Sequence, residues 1–371
     1  MPNNEKSTVD QLTNVQLEIN SRCNLRCATC LKTYYTSDWQ ENDMDFSLLK
    51  EIASQLPKKI NLHIQGWGEP LLHPDIFKII VHLKSKDFSV SFTTNGTTMD
   101  KTIARNLIKS GLDGLTFSMT GGCEETHDNI RGKETFNQLQ ENVSCFQQVK
   151  EELGANCLKT AISYMVTPNN IDELPSAIAW AKKVHIDTFV TVHLTQAGSK
   201  EQQKYHFSLA DDYNRKHLML RIRSHTQALF SPMGLKLHPF SPGLAPVCDK
   251  DPRHNLFISA AGDVSPCVFQ RPPIDKEITW FYHEKTCLQK PLIFGNLREE
   301  ELEDIWNKEK YRNFRNIFDN RCKFHDEQLA KVGYSMEGAQ QLEDARNNIR
   351  NYFNSHQPPP SCSCCYKLEG F

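Results

Sequence analysis

The sequence has no excess of charge of either sign and no long apolar run. Its 371 residues carry 43 basic and 45 acidic side chains, a net charge of -2, so the chain offers no electrostatic surface to nucleic acid or to an anionic membrane. No stretch approaches the roughly 20 apolar residues that span a bilayer. The segment Met1–Gln11 is polar and mixed in charge, unlike a signal or transit peptide. We therefore expect a cytoplasmic protein with no nucleic-acid or membrane partner.

Cysteine, in contrast, is abundant, with 13 residues. An odd number in a chain without a secretion signal argues against a disulfide framework. Three cysteines lie close together at Cys23, Cys27 and Cys30. Most of the others lie in the last third, at Cys248, Cys267, Cys287, Cys322, Cys362, Cys364 and Cys365. Thiolates grouped in this way favour zinc or iron–sulfur chemistry.

Short β-rich segments alternate with helical patterns from the first strand to about residue 195. The predicted strands are Val15–Asn20, Ile60–Gln65, Phe88–Asn95, Gly114–Thr120, Thr160–Thr167 and Thr188–Thr195. The predicted helices are Phe46–Gln55, Pro74–Lys84, Lys101–Ser110, Phe136–Leu153 and Ile171–Lys183. This order predicts an α/β fold with a parallel sheet and outer helices, a partial (β/α)6 TIM-like barrel two units short of eight.

Most of the predicted strands have one polar face, because side chains two apart point the same way. The polar faces hold Glu18 and Asn20, then Asn61, His63 and Gln65, then Ser91, Thr93 and Asn95, then Thr116, Ser118 and Thr120, and finally Thr191, His193 and Thr195. Apolar residues, including Val190 and Val192, hold the opposite faces. We expect a barrel whose polar interior holds a ligand. An antiparallel sheet with one solvated face is the alternative, which the intervening helices disfavour.

Unusual segments follow the first four predicted strands, at the edge of a parallel sheet where ligands bind. Residues 23–30 carry the three early cysteines, and the run GWGEP occupies residues 66–70. Asn95 and Ser118 come at the ends of the next two strands. Glycines in such loops allow close approach to a ligand, and Glu69 suits a cationic group.

The spacing CxxxCxxC has two interpretations. A zinc knuckle needs a fourth ligand nearby, and the next downstream candidate, His63, is far away in sequence. Three thiolates without a fourth suit an iron–sulfur cluster in which one iron keeps an open position. We favour the cluster.

The run CNLRCATC resembles the cluster-binding motif of radical S-adenosylmethionine (SAM) enzymes, and GWGEP resembles their GGEP motif. The resemblance extends roughly from Val15 to Thr195. It implies that Cys23, Cys27 and Cys30 hold a 4Fe–4S cluster whose open iron chelates SAM. The implied SAM contacts are Gly66, Gly68, Glu69, Pro70, Asn95, Ser118 and Arg131. Two positions depart from the family pattern: Thr29 stands where an aromatic residue is usual, and Trp67 replaces the first glycine.

The resemblance also implies an activity. In this family the reduced cluster reductively cleaves SAM, and the 5'-deoxyadenosyl radical abstracts hydrogen from a substrate. A low-potential electron donor such as flavodoxin or ferredoxin is the implied partner. No catalytic base is assigned; His63 and His193 are the candidates, although a histidine in such an interior is as often a hydrogen-bonded filler.

The last third resembles the start of a SPASM or twitch domain, a small α+β extension that binds auxiliary 4Fe–4S clusters. The motif from Cys248 to Cys267 is CX13GX4C, and it is followed by GNL at residues 295–297 and a predicted helix, Glu300–Phe318, that carries Trp306. The dense CxxCxxxxxCxxxC run of a full SPASM pattern is missing, so we expect one auxiliary cluster. It would relay electrons or bind substrate.

The expected ligands of the auxiliary cluster are Cys248, Cys267, Cys362 and Cys365, with Cys322 and Cys364 as rivals and Cys287 as a weaker one. The predicted organisation is a tail at 1–14, the barrel at 15–208, a connecting helix at 209–243, and an auxiliary-cluster domain at 244–371 with a helical insertion at 323–357.

The sequence does not identify the substrate. One auxiliary cluster and a short segment before the first strand favour oxidation of a small molecule or cofactor precursor. The first alternative is a peptide or protein maturase that installs a crosslink or oxidises a side chain. The second is a non-enzymatic zinc or iron–sulfur scaffold.

Overall fold

The computed structural model describes residues 8–207, 217–218, 220–222, 224, 236–238, 245–283, 285–333 and 338–369. Within these ranges the strands are β1 Asn14–Leu17, β2 Asn61–Ile64, β3 Ser89–Thr94, β4 Gly114–Met119, β5 Lys159–Val166, β6 Thr188–His193, β7 Lys236–His238, β8 Asn255–Ile258, β9 Asp263–Ser265, β10 Ile278–Tyr282, β11 Lys285–Gln289 and β12 Gly295–Asn296. The helices are α1 Leu31–Tyr34, α2 Phe46–Gln55, α3 Ile76–Lys84, α4 Lys101–Lys109, α5 Glu124–Arg131, α6 Thr135–Glu152, α7 Leu174–Lys183, α8 Leu302–Asn307, α9 Glu309–Leu329 and α10 Gly338–Ser355. None of these helices has both the length and the apolar character needed to cross a membrane.

All six predicted barrel strands and their helices are present, with shifts of a few residues at the ends. Strands β1 to β6 pair in parallel in chain order. Their outer side chains, such as Leu17, Leu62 and Phe117, are fully buried under the helices. The burial alternates along each strand, as expected for strands covered by helices on one side. The carboxyl ends of the six strands therefore face the same way.

Two further strands extend the parallel part of the sheet to eight. β7 pairs with β6, and β8 pairs with β1, with Asn14 beside Asn255. β8 then turns through Gly262, whose φ is +94°, into the antiparallel strand β9. The pairing of β8 with β1 was not predicted, because a sequence pattern along one strand does not say which strand lies alongside it. The predicted connecting helix at 209–243 falls mostly outside the described residues.

The C-terminal helices differ from the prediction. The expected helix Glu300–Phe318 is two helices, α8 and α9, separated at Lys308, whose ψ of 137° is extended. Trp306 on α8 is fully buried. The expected insertion, 323–357, consists of the end of α9 and the whole of α10, which pack against each other.

Candidate active site

The first cysteine group, which comprises Cys23, Cys27 and Cys30, lies on the loop between β1 and α1. The loop is fixed by backbone hydrogen bonds, including Ala28 N to Ile130 O at 2.7 Å and Cys30 N to Cys27 O at 2.9 Å. Burial raises the pKa of Cys23 to about 11 and that of Cys30 to about 12, and it also raises the pKa of Cys27. The charge of Cys27 raises the pKa of the other two further. The three thiols are therefore near neighbours.

These thiols suit a cationic iron centre, because bound metal stabilises thiolates that burial and mutual repulsion disfavour. Among the described residues, no three Cys, His, Asp or Glu side chains are arranged around a single metal ion. A 4Fe–4S cluster does not require such convergence, since each thiolate binds a different iron.

Glu69 of the GWGEP loop is buried at the end of β3. Its Oε1 accepts hydrogen bonds from the Thr94 hydroxyl at 2.7 Å and from Leu71 N at 3.1 Å, and its Oε2 accepts one from Asn95 N at 2.8 Å. Burial raises the pKa of Glu69. The carboxyl group is thus fixed in place, and an ammonium group bound beside it would favour its charged form.

The two glycines of this loop allow it to pack against the segment that begins with β1. A Cβ on Gly66 would lie 2.3 Å from Cγ of Glu18, and one on Gly68 would lie 2.2 Å from Oδ1 of Asn20. Gly66 also lines the cavity described below, whereas Gly68 and Pro70 do not. The close packing against Asn20 is therefore enough to explain why position 68 is a glycine, without any contact between Gly68 and a ligand.

Trp67, which departs from the family pattern, connects the barrel to the C-terminal region that carries Cys267. Its indole N–H donates to Val268 O at 3.1 Å, next to Cys267. Its ring packs edge-on against Trp39 and Phe269, with centroids 5.8 and 6.4 Å away. The large side chain of Trp67 therefore packs against the segment that follows Cys267.

A cavity of about 460 Å³ occupies the barrel interior. Beside the first cysteine group it is lined by Cys27, Thr29, Cys30, Gly66, Ser118 and Arg131. Its apolar lining includes Leu31, Trp67, Met165, Val190, Val192 and Trp280. The second cysteine group comprises Cys248, Cys267, Cys362 and Cys365. Residues that neighbour it also line the cavity, namely Asp249, Lys250, Val268 and Lys367. One continuous cavity thus borders both groups, and its size is in the range of small-molecule sites.

The lining corrects the expectation for the sixth strand. Val190 and Val192 face the cavity, whereas Thr191 is buried on the opposite side, next to the residues that pack under the helices. His193 reaches the cavity from the end of the strand. The predicted polar face holds for β2 to β4, where His63, Thr93 and Thr116 line the cavity. The interior is therefore polar on one side and apolar on the other.

The two candidate bases are held neutral. His63 has both ring nitrogens engaged, at 2.8 Å from Ser91 Oγ and 2.9 Å from Thr93 Oγ1. Burial and the nearby charge of Lys250 lower its pKa to about 4. The Nε2 of His193 accepts a hydrogen bond from Phe207 N at 3.4 Å, and burial lowers its pKa well below the usual value.

The second cysteine group forms from three separate segments. Burial is the largest cause that raises the pKa of Cys248, Cys267, Cys362 and Cys365, and for Cys267 the value is about 12. The charges of Cys248 and Cys267 raise the pKa of both Cys362 and Cys365. The structure therefore brings together the four expected auxiliary ligands, a donor set that suits a fully ligated 4Fe–4S cluster.

The rival cysteines lie elsewhere. Cys364 forms a disulfide with Cys287 of β11, and their Cα atoms are 6.4 Å apart. Cys322 is buried on α9, where the charges that act on its thiol come from Arg253, Asp251, Asp326 and Asp319. None of the four expected ligands is among them.

Sequence reasoning missed two lysines in the cavity wall, Lys250 and Lys367. Each follows a cysteine of the second group by two positions, at Cys248 and Cys365. This repeated Cys-x-Lys spacing was the available signal. Burial lowers the pKa of Lys250, and Nζ of Lys367 lies 2.9 Å from Oδ2 of Asp249.

Comparison with known proteins gives two family matches. Residues 17–193 match the radical SAM superfamily, and residues 248–329 match SPASM, an iron–sulfur cluster-binding domain. The first match begins at the last residue of β1 and contains the early cysteine group and strands β2 to β6. The second begins at Cys248 and extends to the end of α9.

Several characterised proteins are similar in sequence. The tungsten-containing aldehyde ferredoxin oxidoreductase cofactor-modifying protein of Pyrococcus furiosus is 28% identical over 82% of this chain and 83% of that protein. The AdoMet-dependent heme synthase of Methanosarcina barkeri is 23% identical over 80% of this chain and 83% of that protein. The mycofactocin maturase MftC of Mycolicibacterium smegmatis is 27% identical, over only 45% of this chain and 41% of that protein.

Among solved structures, that of anSMEcpe with bound AdoMet superposes with a TM-score of 0.62 at 16% identity, covering 92% of this chain and 95% of that one. This likeness supports the fold. Radical SAM enzymes use a 4Fe–4S cluster and SAM, they require a reductant, and SPASM domains bind auxiliary iron–sulfur clusters. The chain belongs to the radical SAM superfamily and carries a C-terminal SPASM domain.

Proposed function

We infer that the chain oxidises or otherwise modifies a small-molecule cofactor, or a precursor of one, inside the barrel. The observation that carries this proposal is the single cavity of about 460 Å³ that borders both cysteine groups. Cys23, Cys27 and Cys30 would hold the SAM-cleaving cluster. An auxiliary cluster would be bound by Cys248, Cys267, Cys362 and Cys365.

Cys23, Cys27 and Cys30 would hold the first cluster, which when bound would supply the electron for reductive cleavage of SAM and so the chemistry for hydrogen abstraction from the substrate. The protein's part is to bind and orient. Glu69, which is buried at the end of β3, would accept the SAM ammonium group, and Gly66, Ser118 and Arg131 of the cavity wall would contact the rest of SAM. Apolar residues such as Trp67 and Trp280 keep water from the reacting atoms.

The relatives support a cofactor as the substrate class. Two relatives that match this chain along about four fifths of its length are a cofactor-modifying protein and a heme synthase. The mycofactocin maturase matches less than half of the chain. A peptide maturase therefore remains the second candidate, on the strength of that shorter match.

The cluster assignment is tested by anaerobic reconstitution with iron and sulfide. We expect about eight irons per chain, since each cluster holds four, and 5'-deoxyadenosine on addition of dithionite and SAM. Cys27→Ala should retain about four irons and form no 5'-deoxyadenosine. The matched variant Cys267→Ala should also retain about four irons but still cleave SAM. Wild-type protein that cleaves no SAM would contradict the assignment.

The substrate class is tested with a deuterated cell extract divided into small-molecule and peptide fractions. Hydrogen abstraction transfers deuterium to 5'-deoxyadenosine, which mass spectrometry detects. We expect transfer with the small-molecule fraction. Transfer with the peptide fraction alone would establish a peptide maturase instead, and Cys27→Ala protein serves as the blank.

A further inference from the structure

Lys250 is a cavity-lining lysine whose ammonium group has no side-chain partner among the described residues. Its side chain lines the main cavity and also a second one of about 230 Å³, which reaches Asn14 and Asn255 at the start of β1 and β8. The amine makes no hydrogen bond or ion pair with any residue in the described part of the chain. The Lys250 side chain is half-buried, so its ammonium group is open to the cavity.

Three side chains act on Lys250 with negative charge: Asp249 and the thiols of Cys248 and Cys267. Asp249 is already paired, since its Oδ2 lies 2.9 Å from Nζ of Lys367. His63 and His193 have lowered pKa values and are neutral at pH 7. Apart from the cysteines themselves, Asp249, Lys250 and Lys367 therefore give this part of the cavity wall one net positive charge.

Between this wall and the first cysteine group, one side of the cavity is apolar. Trp67, Met165, Val192 and Trp280 all face the cavity. A ligand that fills this volume would place an apolar body against these side chains. Its charged group would then meet Lys250.

We propose that the substrate carries an anionic group, a carboxylate or a phosphate, that is bound by the ammonium group of Lys250, with its apolar body held between Trp67 and Trp280. This inference rests on the proposed function and names the substrate chemistry of the same site. It makes Lys250 a specificity-determining residue.

A competing explanation is that Lys250 only offsets the negative charge of the auxiliary cluster, because it follows Cys248 by two residues. The two explanations predict different results. Charge compensation alone would make Lys250 matter for the reduction potential of that cluster. It would give no preference for an anionic ligand.

The test is calorimetric titration of the reconstituted, SAM-loaded enzyme with three probes. Phenylacetate and phenylphosphate carry an anionic group on an aromatic body, and phenylacetamide is the neutral counterpart of phenylacetate. Bound SAM occupies the region around Arg131. We expect at least one anionic probe to bind about 10-fold more tightly than phenylacetamide, or about 1.4 kcal/mol. The tighter of the two anions identifies the group as carboxylate or phosphate.

Variants identify the responsible residue. Lys250→Met should abolish the preference, and Lys250→Arg should retain it. Lys276→Met, which removes an exposed lysine paired with Asp38, is the control and should also retain it. Iron content and the potential of the auxiliary cluster are measured for each variant, which reveals loss of the cluster.

Equal binding of acid, phosphate and amide to the wild-type enzyme would overturn the proposal, and this comparison needs no variant to fold. A preference that persists in a fully loaded Lys250→Met enzyme would overturn it too. If the small-molecule fraction transfers deuterium but the probes bind equally, only this inference fails. If that fraction transfers none, the proposed function itself fails.

Discussion

The buried carboxyl group of Glu18 joins two loops that are distant in the sequence. Its Oε1 accepts a hydrogen bond from Trp67 N at 2.7 Å, and its Oε2 accepts one from Ala260 N at 3.2 Å. The first donor belongs to the GWGEP loop and the second to the turn between β8 and β9. Burial raises the pKa of Glu18 to about 7, although both hydrogen bonds oppose the shift.

Glu18 should make stability depend on pH. Between the unfolded pKa of 4.5 and the folded value of about 7, the folded protein holds a proton that the unfolded chain releases. Its contribution to stability is therefore present below pH 4.5 and is lost as the pH rises to 7, by up to about 3 kcal/mol. Relative to wild type, Glu18→Gln should gain in thermal midpoint between pH 5 and pH 8.

The thermal midpoints of Glu18→Gln and wild type are measured anaerobically on reconstituted protein. Because the other titrating groups are the same in both proteins, their effects cancel when the two midpoints are subtracted. Glu299→Gln, at an exposed position, is the control for loss of a carboxyl group. A gap between Glu18→Gln and wild type that is the same at pH 5 and pH 8 would contradict the assignment.

At the scale of elements, helix α9 fixes two of the three segments that carry auxiliary cysteines. Arg321 on this helix is buried, and it donates to His356 O at 2.7 Å, to Pro246 O at 3.0 Å and to Ala245 O at 3.4 Å. Its guanidinium also lies 3.9 Å from the centre of the Phe353 ring. The side chain of Arg321 thus joins the segment just before Cys248 to the residue that follows α10.

Arg321→Met should release both segments, because it leaves three carbonyl groups without their donor. Each buried unsatisfied group costs about 1–3 kcal/mol. We expect the reconstituted variant to hold about four irons rather than eight and still to form 5'-deoxyadenosine. Lys323→Met changes an exposed residue of the same helix and should keep the full iron content. Full iron in Arg321→Met would show that other contacts position the cysteines.

At the scale of the whole molecule, several buried histidines should make the protein sensitive to acid. Burial lowers the pKa of His63 to about 4 and those of His127 and His206 to about 3. Below pH 6.5 the unfolded chain takes up protons that the folded protein refuses, so stability falls as the pH falls. Each group should cost about 2 kcal/mol by pH 5.

Thermal midpoints between pH 7 and pH 5 measure this effect. His127→Gln should reduce the dependence on pH, whereas His356→Gln, at an exposed position, should not. A wild-type midpoint that stays level down to pH 5 would contradict the expected penalty.

Sequence reasoning reached the local elements and the cysteine groups, since both leave patterns along the chain. The six barrel strands and the early CxxxCxxC loop depend on neighbouring residues, and both were predicted. Partnerships between distant segments leave no such pattern: the pairing of β8 with β1 and the disulfide between Cys287 and Cys364 needed the structure. The sixth strand was misassigned because threonine and valine alternate along it, and both residue types suit either face of a strand.

The position of β8 has a consequence for engineering. β1 lies between β2 and β8, so each of its edges is paired. A chain cut after the barrel would leave β1 as an open edge strand of a largely apolar sheet, and such edges promote aggregation. The two regions are therefore not exchangeable modules. A chimera that grafts a foreign auxiliary domain onto this barrel needs to retain residues 255–258 with β1.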